Sequence, residues 1–163
     1  MKKTFILSGL LVLGLLALSA CGGGEQAGEN QGGQKAAADA SGLTQEQIEK
    51  GIGPITSVTL GPIDDALAAK GAELFEVKCT ACHKLDKRYI GPPLGEVTAR
   101  RTPEFIMNMI LNPEEMMQKH PVVKELLAQY MAQMANQSLT EEEARAILEY
   151  LRKVEAEGGS SQP

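Results

Sequence analysis

The stretch Cys79-Thr80-Ala81-Cys82-His83 decides the fold of this chain of 163 residues. Two thiols separated by two residues at the end of a helix can bond to the two vinyl groups on one edge of a porphyrin. The next residue then projects an imidazole under the iron. Zinc sites and redox dithiols share the cysteine spacing, but structural zinc needs four ligands and a thioredoxin-like dithiol needs a preceding strand in a parallel sheet. The motif therefore predicts one covalently bound haem c.

The composition is consistent with a core that a cofactor completes. Hydrophobic residues make up 43% of the chain, but aromatic residues only 4%, and Trp is absent. The formal net charge is −5, and an acidic chain lacks the basic face that phosphate binding requires, so we expect no nucleic-acid partner. Three cysteines are too few for a disulfide scaffold.

Helical patterns surround the motif, and no alternating strand pattern of useful length occurs. One apolar face runs from about Asp64 to Ala81 and carries the motif at its end. Further helix starts are indicated at Thr44 with Gln47, Thr102-Pro103, Asn112-Pro113, and Thr140 with Glu143, while His120-Pro121 interrupts and restarts the chain. The sequence predicts an all-α domain.

The N-terminus predicts export. Met1-Lys2-Lys3 is basic, and the range Phe5–Leu18 is nearly all apolar, which suits a signal peptide and is shorter than the about 20 residues of a membrane-spanning helix. It ends in Leu18-Ser19-Ala20-Cys21, which resembles the lipobox of bacterial lipoproteins. An ordinary cleaved signal is the alternative. We expect residues 1–20 to be removed and lipidated Cys21 to hold the protein on the periplasmic side or the cell surface.

Composition divides the rest of the chain into four parts. Residues 21–42 are rich in Gly, Gln and Ala and predict a flexible linker after the lipidated cysteine. Residues 43–61 form an N-terminal extension with a short helix, and residues 62–157 form the haem domain. Residues 158–163 predict a disordered tail.

Over about residues 62 to 156 the chain resembles the class I cytochromes c. Gly71, Phe75 and Cys79 are spaced by four, as in that family's first helix, where the glycine lets the last helix cross at close range. The matching positions on the last helix are Ile147 and Tyr150. The resemblance implies the family's fold, with four to five short helices wrapped around one haem.

The resemblance also implies how the iron is held. Cys79 and Cys82 would bind the haem covalently, and His83 would be one axial ligand. In the family, a carbonyl in the loop that corresponds to Ile90-Gly91-Pro92-Pro93-Leu94 accepts the Nδ1 proton of this histidine, a role that falls to Pro92.

The sixth ligand in the family is a methionine in the irregular loop before the last helix. Met134, in Met134-Ala135-Asn136-Gln137, has this place, and Met131 is the runner-up. His120 is another alternative, although we expect it to be a surface residue. The methionines within helical patterns are interpreted as core filling.

Three further residues are expected near the haem. Phe105 stands where relatives often carry Trp, and we expect it to line the pocket. Arg100 and Arg101 match carboxylates bidentately and are candidates for contacting the haem propionates. Two solvated arginines before a helix are the alternative interpretation.

A thioether opposite an imidazole raises the reduction potential, and with both axial positions filled the iron can only pass electrons. We therefore expect a monomeric electron carrier, not an enzyme, between a quinol-oxidising complex and a terminal reductase or oxidase. The alternative is a gas sensor or peroxidase-like protein in which Met134 is labile. The extension, the segment Arg101–Phe105 and the Met134 loop together are similar to cytochromes that accompany nitrous-oxide reductases.

Charge is distributed unevenly along the haem domain. Residues 78–101 contain six basic and two acidic side chains, a net charge of +4, whereas residues 102–157 contain five basic and ten acidic ones, a net charge of −5. We hypothesise that this asymmetry turns the haem side toward an acidic partner. An ordinary solvated surface is the alternative.

Overall fold

The computed structural model describes residues 41–158. Within this range the chain forms no strand and seven helices: α1 (Gln45–Lys50), α2 (Asp65–Lys78), α3 (Val97–Arg100), α4 (Pro103–Leu111), α5 (Pro113–Lys119), α6 (Pro121–Tyr130) and α7 (Glu141–Ala156). None of these helices is both long and apolar enough to cross a membrane. The predicted signal peptide, Cys21, most of the linker and residues 159–163 lie outside the described residues.

The all-α prediction is confirmed, but the number of helices is higher than expected. From Asp65 to Ala156 the structure has six helices rather than four to five. Helix α3 was not predicted, because this single turn begins at Val97 without any side-chain cap. Helix α2 ends at Lys78, three residues before the expected end, because Cys79 already forms its C-cap.

Local capping chemistry explains where the other helices begin. Thr44 with Gln47 and Thr140 with Glu143 form complete capping boxes at the starts of α1 and α7. The Thr102 hydroxyl accepts a hydrogen bond from the third residue of α4, and α4, α5 and α6 each begin with proline. These predicted helix starts are confirmed.

Helices α2 and α7 cross at very short range. A β-carbon built at Gly71 would lie 2.0 Å from the carbonyl oxygen of Ala146, so only glycine fits there. One turn further along, the Phe75 and Tyr150 ring centroids are 5.3 Å apart. The close crossing predicted from Gly71 is confirmed. The main core gathers around it from α2, α4, α7 and the loop after α2, and includes Phe75, Leu85, Ile106, Met107, Ile110, Ala144, Ile147, Leu148, Leu151 and Val154.

A second apolar cluster joins the N-terminal extension to α4, α5 and α6. It consists of Leu43, Ile52, Phe105, Met116 and Val123.

Asn108 of α4 secures the extension with buried hydrogen bonds. Its side chain is 1% exposed. It accepts from the amide of Ile55 and donates to the carbonyl oxygens of Lys50 and Ile55, all at 2.9 Å.

The expectation that His120 lies at the surface is wrong. Its side chain is fully buried where α5 meets α6, because the extension covers it. Its Nε2 lies 3.0 Å from the carbonyl oxygen of Ile48, to which it donates. Its ring meets Phe105 edge-on, with 5.1 Å between the centroids. His120 therefore belongs to the packing between the extension and the helices.

Helix α7 carries a third buried polar residue, Glu149. Its carboxylate accepts hydrogen bonds from the amide of Asp64, from Arg145 and from Arg152. Burial favours the neutral carboxyl, but these hydrogen bonds outweigh it and hold the pKa of Glu149 below its ordinary value. The cluster fastens the N-terminus of α2 to α7.

Candidate functional site

A cavity of about 270 Å³ lies between the turn after α2 and helices α4, α6 and α7. Its floor is apolar and includes Ile106, Ile110, Ile147 and Leu151. The residues predicted for the haem site that line it are Cys79, Cys82, His83, Pro92, Arg100, Arg101, Phe105 and Met134. The exceptions are Met131 and His120, the two alternatives for the sixth ligand.

The two cysteines lie on one turn at the end of α2. The backbone amides of Cys82 and His83 both donate to the carbonyl oxygen of Cys79, at 3.0 and 2.8 Å. Both thiols are free; Cys79 is half-buried and Cys82 is exposed. Burial, with a smaller contribution from Cys82, raises the pKa of Cys79 to about 11. The pair therefore presents two thiols at one edge of the cavity.

The imidazole of His83 is fixed by its neighbours. Its Nδ1 donates to the carbonyl oxygen of Pro92 at 2.9 Å, which leaves Nε2 as the unprotonated nitrogen that can bind a metal. A β-carbon at Gly91 would lie 2.5 Å from Cε1 of the ring. Burial lowers the pKa of His83, and the hydrogen bond to Pro92 opposes this in part. The ring is held neutral and in one orientation.

The loop between α6 and α7 separates the two candidate methionines. Met134 is partly buried, lines the cavity and packs against the main core. Met131 is 85% exposed, has a left-handed backbone with φ of 53°, and does not line the cavity. Met109 of α4 and Met117 of α5 also line the cavity, so they are further thioethers at this site.

The aromatic and basic candidates lie together at the beginning of α4. Phe105 is 5% exposed, and the guanidinium of Arg101 lies 5.2 Å from the centroid of its ring. Arg100 donates to the carbonyl oxygen of Pro93 at 3.0 Å and pairs with Glu96 at 3.4 Å. Both arginines also line the cavity, where a guanidinium could pair with an acidic group of a bound ligand.

Sequence reasoning missed the contribution of α6. Four of its residues line the cavity, namely Val123, Leu126, Leu127 and Tyr130. Their i, i+3, i+4, i+7 spacing is typical of one apolar face of a helix, and it could have indicated from the sequence that this face is covered.

The residues present fit a covalently bound haem. Two thiols stand at one edge, an imidazole and a thioether line the same apolar space, and this ligand pair suits haem iron. The Gly91 position leaves room only for the imidazole ring beside it. In residues 41–158, Cys, His and carboxylate side chains do not gather in groups of three or more, as a structural zinc site would require.

Comparisons with known proteins found matches among cytochromes c. The family model described as cytochrome c matches residues 68–155. The structure of cytochrome c from Rhodothermus marinus is similar, with a TM-score of 0.66 and 53% identity, and the alignment covers 69% of this chain and 97% of that one. An engineered cytochrome c from the same organism, bound to a carbene intermediate, has a TM-score of 0.63 and 54% identity, covering 68% and 97%. No curated protein matches the chain.

Proposed function

The chain belongs to the cytochrome c family and carries electrons on one covalently bound haem c, and we propose that its iron is held between His83 and Met134 in a membrane-tethered protein. The observation that supports this ligand pair is that both side chains line one apolar cavity that has two thiols at its edge. The bound haem supplies an iron that changes between its ferrous and ferric states.

The proposed roles of the chain's own residues follow from their contacts. Cys79 and Cys82 would hold the haem through two thioether bonds, each formed by adding one S–H across one vinyl group, with the hydrogen going to the other vinyl carbon. The Pro92 carbonyl orients His83 and raises the basicity of Nε2. The thioether of Met134 would favour reduced iron and raise the potential. Arg100 and Arg101 would contact the propionates.

Charge near the motif supports a docking role for this side of the molecule. The exposed side chains of Tyr89 and Ile90 follow the motif. They lie within residues 78–101, which carry a net charge of +4. We propose that an acidic surface of a redox partner docks here. The donor would be a quinol-oxidising complex, and the acceptor a terminal reductase or oxidase, such as a nitrous-oxide reductase. Rates of electron transfer that do not change with ionic strength would contradict this docking mode.

Membrane attachment is proposed from the lipobox alone. Lipidated Cys21 would tether the haem domain on the periplasmic side or at the cell surface. Cys21→Ser should move the haem protein from the membrane fraction to the soluble fraction without changing its haem spectrum.

Spectra of methionine variants test the ligand pair. Met134→Leu should abolish the far-red absorption band of a thioether-ligated ferric haem and lower the reduction potential. Met109→Leu, Met117→Leu and Met131→Leu are the matched controls and should keep the band. If Met134→Leu keeps the band and one of the controls loses it, the assignment of Met134 is wrong.

The irregular loop that carries Met134 favours one second candidate function. Met131 and Ser138, near the two ends of this loop, both have left-handed backbones with φ of 53°. If Met134 leaves the iron easily, the protein would bind gases or peroxide and act as a sensor or peroxidase-like protein. High-spin spectra and rapid CO binding by the wild type would favour this candidate over the carrier.

Haem attachment is tested by mass. The wild-type protein matured in the periplasm should gain the mass of one haem. The double variant Cys79→Ala, Cys82→Ala should not retain haem through denaturation.

A further inference from the structure

Arg88 connects the loop that follows His83 to the end of α6, two segments that are distant in sequence. Its guanidinium donates to the carbonyl oxygen of Gln129 at 2.8 Å, across 41 residues of chain. The guanidinium carbon also lies 4.3 Å from the centroid of the Tyr130 ring. A planar guanidinium can donate at its edge and stack with its face at the same time, and an ammonium group cannot do both.

The two sides of this contact carry the two proposed iron ligands. Arg88 lies in the loop that leads from His83 to its hydrogen-bond acceptor, Pro92. Gln129 and Tyr130 are the last two residues of α6, and the Met134 loop begins directly after them. The carbonyl of Gln129 is one of the last four of the helix, which have no intrahelical donor, and a cation at this end also opposes the helix dipole.

The Met134 loop has few other attachments. Among the described residues, the Gln137 side chain donates to the carbonyl oxygen of Ala135, and the Asn136 side chain accepts from the amide of Ser138. Both hydrogen bonds stay inside the loop. A further side-chain hydrogen bond, donated by Asn136 to Glu114 at 3.4 Å, joins the loop to α5. Backbone hydrogen bonds between described residues do not involve residues 132–139. Besides the packing of Met134 and Leu139 against the main core, the loop is therefore held mainly by its two ends, at the end of α6 and at Thr140.

We propose that Arg88 is a positioning residue that holds the end of α6 against the loop that follows His83 and so limits the departure of Met134 from the iron. This inference rests on the proposed role of Met134 as an axial ligand. Without Arg88, the end of α6 and the loop after it would move more easily, and an added ligand would compete with Met134 more successfully.

Imidazole binding to the purified ferric holoprotein tests this role. Coupling between sites in proteins changes affinity about 5- to 150-fold, and we expect Arg88→Gln to lower the apparent Kd for imidazole about tenfold. Arg88→Lys should behave like Arg88→Gln, because it keeps the charge but cannot keep both contacts. An imidazole affinity equal to that of the wild type in Arg88→Gln would overturn the proposal.

Lys87→Gln is the matched control. It removes the same charge from the neighbouring position, where the exposed lysine makes a 3.9 Å ion pair with Asp86. It should leave the imidazole affinity unchanged. An equal effect in Lys87→Gln and Arg88→Gln would show that the net charge near the haem, and not the contact with α6, is responsible.

Hydrogen exchange provides a readout that does not depend on the iron ligand. Arg88→Gln should speed amide exchange at the end of α6 and in residues 131–139, and Lys87→Gln should not. If Met134→Leu leaves the haem spectrum unchanged, the ligand assignment has failed, and the exchange result still decides whether Arg88 holds α6. If Met134→Leu changes the spectrum but Arg88→Gln changes neither exchange nor affinity, only the role of Arg88 is refuted.

Discussion

Replacing Asn108 with alanine should loosen the N-terminal extension from α4. The side chain makes three buried hydrogen bonds to the extension, one with the amide of Ile55 and two with the carbonyls of Lys50 and Ile55. Alanine leaves these three groups without that partner, and each buried unsatisfied group costs about 1–3 kcal/mol. The better helix propensity of alanine returns no more than about 0.7 kcal/mol. Because a water molecule can enter the vacated space and bind some of the groups, we expect a net loss of about 3 kcal/mol.

The measurement is urea denaturation of the holoprotein, followed by circular dichroism, together with amide exchange at Ile55. Asn112→Ala is the matched comparison, because Asn112 makes a single hydrogen bond to the extension, at 3.1 Å to the carbonyl of Ile52. It should cost about 1 kcal/mol. If Asn108→Ala costs less than Asn112→Ala, or does not speed exchange at Ile55, then apolar packing and not Asn108 holds the extension.

Three further predictions concern α2 and α7. Gly71→Ala places a β-carbon 2.0 Å from the carbonyl oxygen of Ala146. The overpacking should cost about 1–3 kcal/mol or more, which exceeds the gain in helix propensity of about 1 kcal/mol, so the melting temperature should fall. A melting temperature equal to the wild type's would contradict the close crossing. Because the pKa of Glu149 is held below its ordinary value of 4.5, its carboxylate stabilises the fold above that pH, and the contribution is lost as pH falls through the lower folded pKa. Urea midpoints of the wild type should therefore fall more steeply in acid than those of Glu149→Gln, and parallel curves would refute this. Thr140→Ala removes the capping box of α7 and should cost about 1 kcal/mol in urea denaturation, whereas no loss would mean that the helix end is held by packing alone.

Short-range chemistry made much of this fold predictable. The capping boxes at Thr44 and Thr140 are formed by residues three positions apart on one helical turn. Gly71 marks a close approach of two helices that only glycine permits. These signals can be read without knowing the topology. Helix α3 was not predicted, because no side chain caps its first turn.

Contacts between distant parts of the chain were not predictable in the same way. His120 is buried because the N-terminal extension covers it, and its hydrogen-bond partner there, Ile48, lies 72 residues earlier in the chain. Arg88 donates to the carbonyl of Gln129 across 41 residues. A buried histidine and a surface histidine look alike in a sequence when the covering segment is far away. The apolar face of α6 was visible as a pattern, but periodicity alone does not distinguish a wall of the haem cavity from ordinary core.

The contact between Gly91 and His83 has a consequence for redesign of this cytochrome. Any side chain at position 91 would begin 2.5 Å from the imidazole and would have to tilt or displace it. Position 91, beside His83, therefore tolerates almost no substitution. New reactivity or a retuned potential has to be sought elsewhere along the cavity wall, for example at the lining residues that α6 contributes.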